Sequence, residues 1–473
     1  MRPYRATVGF LFVLCISVGV THLVAQDGEC PAAIQQALQA AGQFCPQVGR
    51  NQVCYGNTLV SATNWENVPL PDFGQPGNLV DAANMASLVT TPFDMATQNW
   101  GVAVMGLQAN IPDSFPGQNV TFVVFGDVEL QNEVAPDQIV APNQLSGKAL
   151  SNPNLRAGPG AEWQVVGSLK AGDALSVIGK DITGEWLQIV NQSQVRWVAT
   201  RFVQLDGDIS TLDVIDPKNN SQLLYRAPMQ AFRVRTGVGD TRCDSVPTGG
   251  VMIQSPEHLQ VNFLANGIEM TSGSTILLRS DDTQGDLHVA TLAGNAGVKS
   301  ANTVQNVEPG YALDVHKGEA PIKPERYQYD DVRDLPLTLL PEAVAAEPPD
   351  GTQVSISVCD VQNNGVLRQP ISAEKPIIFG EPLGGVDAKE AKAVRDNSVV
   401  SVTVNGVAVR PWSISDPYES TSSMNLNSGN QTGQATLQKW WFVLPHPTAG
   451  RYNAEMTWTY NGTKRFNCSI TVR

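Results

Sequence analysis

From Pro46 to the C-terminus the apolar residues of this 473-residue chain come in short runs, nearly all of them ended by Gly, Pro, Asp or Asn. Such runs are too brief for helices, and their Val, Ile and Phe content suits pleated sheet. A mainly β fold follows. The exception is PAAIQQALQAAGQ at 31–43, where Ala33, Ile34, Ala37, Leu38 and Ala41 recur at the i, i+3, i+4 spacing of a helix face. Gly42 and Pro46 end it.

At ~100 to 200 residues per domain, a chain this long divides into three or four units. Residues 26–142 read as an N-terminal helix plus sheet, with two Val- and Phe-rich strands on either side of Pro112, Pro116 and Gly117. Residues 146–206 read as five short strands of a compact barrel. Residues 207–315 repeat short strands with turn signals every ~8 to 12 residues, a β-rich middle domain. The stretch 316–352, rich in Pro, Glu and Ala, is a linker or a wrapped arm. Residues 353–473 have the strand count of a two-sheet, immunoglobulin-like sandwich. There Cys359 falls in the first strand, VSISVCD, and Cys468 in the last, RFNCSITVR, so a staple between them is the preferred pairing.

The N-terminus has the layout of an export signal: two arginines in MRPYR, then the apolar run ATVGFLFVLCISVGV, then Ala25 before the expected cut. An uncleaved anchor is the competing reading. A spanning helix needs ~20 apolar residues, and Thr21 and His22 interrupt this run, so no membrane span is expected once residues 1–25 are removed. Beyond Cys15 the chain holds Cys30, Cys45, Cys54, Cys243, Cys359 and Cys468, an even number in an exported protein, which favours disulfides over metal binding. A helix over 31–43, rising ~1.5 Å per residue, keeps Cys30 and Cys45 too far apart to bond each other. The formal net charge is −14, and no basic cluster exists to displace counterions from phosphates, which excludes nucleic acid as a partner.

The most specific signal lies at NLRAGPG, residues 154–160, followed by VVGSLKAGDALSVIG, GEWLQIV and VRWVATRFV. This order resembles the bacterial SH3-like domain, over about 60 residues of the chain. It departs from the family at Arg196, where a glycine often precedes the closing Trp. Leu155, Val166, Leu169, Leu175, Val177, Ile189 and Val198 can fill a small barrel, while Arg156 can brace it. Trp163, Trp186, Trp197 and Phe202 are the candidate ligand contacts, weighed against plain packing, since large rings commonly stabilise small barrels. Trp163, just after the turn, is expected to be exposed. The resemblance implies binding of a cell-wall peptide or glycan, or of an envelope protein. A second stretch, 251–315, with NGIEMTSGSTILLRS and LHVATLAGNAGVKS, looks like the β-rich FecR-type domain, which implies a sensing or scaffold element.

Reactive constellations are missing. His22, His258, His288, His316 and His446 are scattered, and neither H-E-x-x-H nor G-x-S-x-G occurs. The acidic loop Ser280–Asp286 lacks EF-hand spacing and reads as a hairpin turn, as does DGDISTLD at 206–213. No cofactor and no metal are expected. The reading is an exported, non-catalytic envelope protein; its rivals are a cell-wall hydrolase of unfamiliar type and a purely structural surface or matrix component.

Overall fold

The computed structural model describes residues 29–46, 48–94, 96–97, 99–108, 119–139, 143–191, 194–215, 227–237, 249–256, 259–280, 286–333, 335–344, 346–385, 397–409, 412, 422–428 and 431–473. The expected leader, residues 1–25, lies outside them, as do Cys243 and most of the acidic loop after Ser280.

The expected helix is present as α1, Glu29–Phe44. The protein is mostly β, in several sheets. One sheet has nine strands, running in space from Glu325–Arg326 through Tyr311–Val315, Leu287–Ala293, Thr275–Arg279, Gly250–Gln254, Val120–Phe125, Val102–Leu107 and Gln52–Asn57 to Leu79–Asp81. A second, eight-stranded sheet runs from Val60–Thr63 to Thr303–Val307. Inner faces of both meet in a single apolar core, centred on Phe122, Phe232 and Phe263, with ring centroids 5.5 to 6.3 Å apart.

Strand composition follows from how many faces are covered. The second sheet alternates, buried then half-buried, along Val261–Ala265, Ile268–Ser272 and Ala296–Ser300. The first sheet is buried on both faces, so Val102–Leu107, Gly250–Gln254 and Thr275–Arg279 are buried at every residue. Its outer face, including Val102, Val123, Phe125 and Leu277, is covered by Ile34, Ala37, Leu38 and Ala41 of α1 and by Tyr327, Val332, Leu335 and Leu340.

Those last four residues belong to 316–352, which is therefore a wrapped arm rather than a free linker. It carries a short helix, α2, at Tyr329–Val332. Gln254 Nε2 donates to the Glu342 carbonyl at 3.0 Å and its Oε1 accepts from Glu342 N at 2.9 Å, so a side chain completes the arm's backbone bonding. Buried Arg279 donates to the carbonyls of Gly249 and Asp331, tying the arm to the sheet. Burial lowers its pKa to about 10.

The separation of 26–142 from 207–315 needs correcting: strands from both stretches share both large sheets. The chain leaves this body after Val128–Asn132, builds the SH3-like module, and returns as Ala231–Thr236, which pairs antiparallel with the strand it left, Phe232 opposite Asn132. Periodicity reports that a segment is a strand and says nothing about its partner, so an insertion looks like a boundary.

In the C-terminal part a four-stranded sheet of Thr352–Val354, Ile377–Gly385, Gln431–Leu444 and Ser422–Ser428 accompanies another of Val407–Val409, Val399–Val404, Gly450–Thr459 and Thr463–Val472. Residues of both enter one core with Phe379, Phe442 and Met456. The Cys359–Cys468 disulfide is present. Cys359, however, lies on a helix, α3, Ile356–Asn363, and not in a strand. Ser355 Oγ accepts from Val358 N and caps it, which lets Ile356 and Cys359, three apart, turn inward. A second disulfide joins Cys45 to Cys54.

Candidate functional site

The inserted module has seven strands, two more than expected, in the spatial order Val165–Ser168, Asn154–Arg156, Gln194–Ala199, Trp186–Asn191, Ala174–Lys180, Leu145–Ala149, Val203–Leu205. Leu155, Leu169, Leu175, Val177, Leu187, Ile189 and Val198 form its core. Arg196 sits inside a strand opposite Ile189.

Two turns and a 3-10 segment build a cleft on this module. The first turn, 157–163, is braced from below by Arg156, whose Nη1 donates to the carbonyls of Ala161 at 2.7 Å and Trp163 at 2.6 Å. The second, 181–186, is held by buried Asp181, whose carboxylate accepts from Thr183 N at 3.2 Å, from the Thr183 hydroxyl, and from Trp186 N at 2.8 Å. The 3-10 segment Thr200–Phe202 is tied to this second turn: Thr200 Oγ1 donates to Gly184 O at 2.7 Å and Thr200 N to Glu185 O at 2.8 Å. The cleft between them has a volume of about 730 Å³ and is lined by Trp186, Phe202, Arg201, Glu162, Asp181 and Glu185, among others. The Arg201 guanidinium lies 4.7 Å from the Phe202 ring centre.

The four expected contacts therefore separate. Trp186 and Phe202 are half-buried and line the cleft. Trp197 is 2% exposed, opposite Gln188 and Arg156 in the sheet, so its ring belongs to the interior. Trp163, expected to be exposed, is half-buried and does not line the cleft. Its indole lies on Gly158, where a Cβ would come within 2.2 Å of the ring, so glycine is required there by close approach. Large rings bury wherever backbone leaves room, and a bare glycine supplies that room.

Sequence reasoning missed Glu162, Asp181, Glu185 and Arg201. A signal existed for Asp181: the run DITGE is an Asx-turn followed by glycine, which fixes whatever follows it. DGDISTLD, expected as a hairpin turn, instead forms a 3-10 segment, Ile209–Thr211, capped by Asp208, which accepts from Ser210 N at 2.8 Å.

Elsewhere, the scattered histidines partly converge. His288 Nδ1 lies 2.7 Å from Asp314 Oδ1 across paired strands of the nine-stranded sheet, and His316 pairs with Asp286 just beyond the ends of those strands. The His288 hydrogen bond holds Asp314 below the usual carboxylate range, and the Asp286 hydrogen bond raises His316. Neither pair lines the module's cleft, nor a second cleft of about 840 Å³ beside the end of α1, whose charged lining residue is Arg50.

Comparison with protein families identifies the module, since a family model matches residues 151–204. That segment is a bacterial SH3 domain. The matched span contains every residue of the cleft named above, and the SH3 domain is inserted into the two-sheet body between paired strands. No curated protein matches the chain. Among solved structures, a protein from Corynebacterium diphtheriae described as membrane anchored aligns with 89% of this chain and 58% of its own, at 9% identity and a TM-score of 0.13. The chain thus spans less than two thirds of that protein's length, and the likeness bears on neither fold nor function. Among the described residues no helix is long and apolar enough to cross a membrane.

Proposed function

We propose that this is an exported, extracytoplasmic protein without catalytic activity that holds a cell-wall peptide or glycan, or an envelope protein, in the cleft of its SH3 domain. The observation that carries this reading is the placing of Trp186 and Phe202, half-buried, on the wall of a cleft within a bacterial SH3 domain. Rings exposed on one side in a preformed concavity supply apolar contact area at little cost in conformational freedom. Two disulfides agree with an oxidising compartment. The two-sheet body and the C-terminal sheets act as the frame on which the domain is presented.

Retention of the purified full-length protein on insoluble peptidoglycan sacculi tests this. Wild-type protein is expected to be retained, and Trp186→Ala with Phe202→Ala to be lost from the pellet while circular dichroism stays native. Release of soluble fragments from the sacculi would instead support a hydrolase. Absence of retention on sacculi and on envelope proteins together would overturn the binding reading.

A further inference from the structure

The cleft's charged side chains divide into those already committed to the fold and those left over. Arg156 is engaged by two carbonyls, and Asp181 by three donors. Glu162 and Glu185 are exposed, line the cleft, and have no side-chain hydrogen bond or ion pair among the described residues. An unpaired glutamate on a surface is ordinary. These two differ in where they stand, because Glu162 belongs to the turn braced by Arg156 and Glu185 to the turn locked by Asp181. Both backbones are pinned before any ligand arrives, which lowers the ordering cost of binding. Trp186, which follows Glu185 in the chain, lines the same cleft with a ring whose face attracts a cation. Among the described residues lining the cleft the other cation, Arg201, lies over the Phe202 ring and forms no ion pair with either carboxylate.

Resting on the binding reading above, we infer that the ligand enters the cleft with a primary ammonium group on an apolar stem, the stem against Trp186 and the ammonium between Glu162 and Glu185. An anionic end group would meet two carboxylates on pinned turns and a single arginine. A neutral glycan would donate hydroxyls to the carboxylates but leave their charge unbalanced.

Sacculi whose free amines have been capped with acetic anhydride, compared with untreated sacculi, test the inference with wild-type protein, Glu162→Gln/Glu185→Gln and Trp186→Ala. Capping is expected to weaken wild-type retention about tenfold, the scale of two exposed ion pairs. The double Gln variant is expected to bind untreated sacculi about that much more weakly and to be indifferent to capping, with an unchanged near-ultraviolet spectrum. Equal wild-type retention on capped and untreated sacculi, with Trp186→Ala still defective, overturns the ammonium inference and leaves the cleft reading standing. A double variant as sensitive to capping as wild type overturns the assignment to Glu162 and Glu185. No wild-type retention on untreated sacculi overturns both readings.

Discussion

The two-sheet body and the SH3 domain inserted into it use the same residue types in opposite ways. In the body, Phe122, Phe232 and Phe263 close on one another with no solvent-facing side, and Trp100 is wholly buried under α1. In the SH3 domain the aliphatic residues make the core, while Trp186 and Phe202 stand half-buried at a cleft edge. Large rings inside the two-layer body are packing; in the SH3 domain Trp163 and Trp197 pack as well, and of the four candidate rings Trp186 and Phe202 stand at the cleft. The contrast extends to covalent links. The segment 146–206 contains no cysteine, whereas disulfides hold the start of the body and the C-terminal sheets.

Four comparisons would break or sharpen this contrast. The largest effect is expected from Cys359→Ser/Cys468→Ser: the link spans 109 residues, and loop-closure entropy puts its loss at about 4 to 5 kcal/mol. For Cys45–Cys54, with a separation of 9, the loss is about 2 to 3 kcal/mol. Calorimetry with reductant checks this, and a shifted SH3 transition would show that the domain leans on its host. Next, Phe232→Ala in the body is expected to cost about 3 to 5 kcal/mol. Trp186→Ala, at a half-open position, is expected to cost under about 1.5 kcal/mol while abolishing retention on sacculi. Denaturant melts of both variants decide it, and equal costs would make Trp186 a packing residue. Third, Arg156→Met leaves two carbonyls without their donor and is expected to cost about 1 to 2 kcal/mol, with weakened retention through the loosened 157–163 turn.

The smallest effect concerns pH and the body alone. Asp314 titrates below its ordinary 3.8 when folded, so its contribution is present above pH 3.8 and is lost as pH falls through the lowered folded value. His316 titrates above its ordinary 6.5 when folded, so its contribution is full below pH 6.5 and is lost as pH rises through the raised folded value. Both pairs together support the body best between pH 3.8 and 6.5. His288→Asn/His316→Asn is expected to lower the body's stability inside that window and to flatten its pH dependence below 3.8 and above 6.5 in urea titrations, leaving the SH3 domain's profile unchanged.

Local chemistry alone carried several conclusions. The i, i+3, i+4 pattern marks α1, turn-punctuated Val- and Phe-rich runs mark strands, and NLRAGPG with its downstream Trp residues marks the SH3 domain. Each of these depends on neighbours in sequence, through backbone geometry and side-chain alternation. Cys359 shows where that stops: VSISVCD has strand-like composition, yet Ser355 and the inward turn of Ile356 and Cys359 make it a helix.

What tertiary structure alone decided is pairing. That Val128–Asn132 should wait nearly a hundred residues for Ala231–Thr236, that 316–352 should cover a sheet instead of hanging free, and that of four candidate rings only Trp186 and Phe202 should face a cleft are facts about distant segments meeting. A residue's type fixes what it would do if buried or exposed. Which of the two it becomes depends on what the rest of the chain places against it, as Gly158 beneath Trp163 and Arg279 beneath the arm make plain.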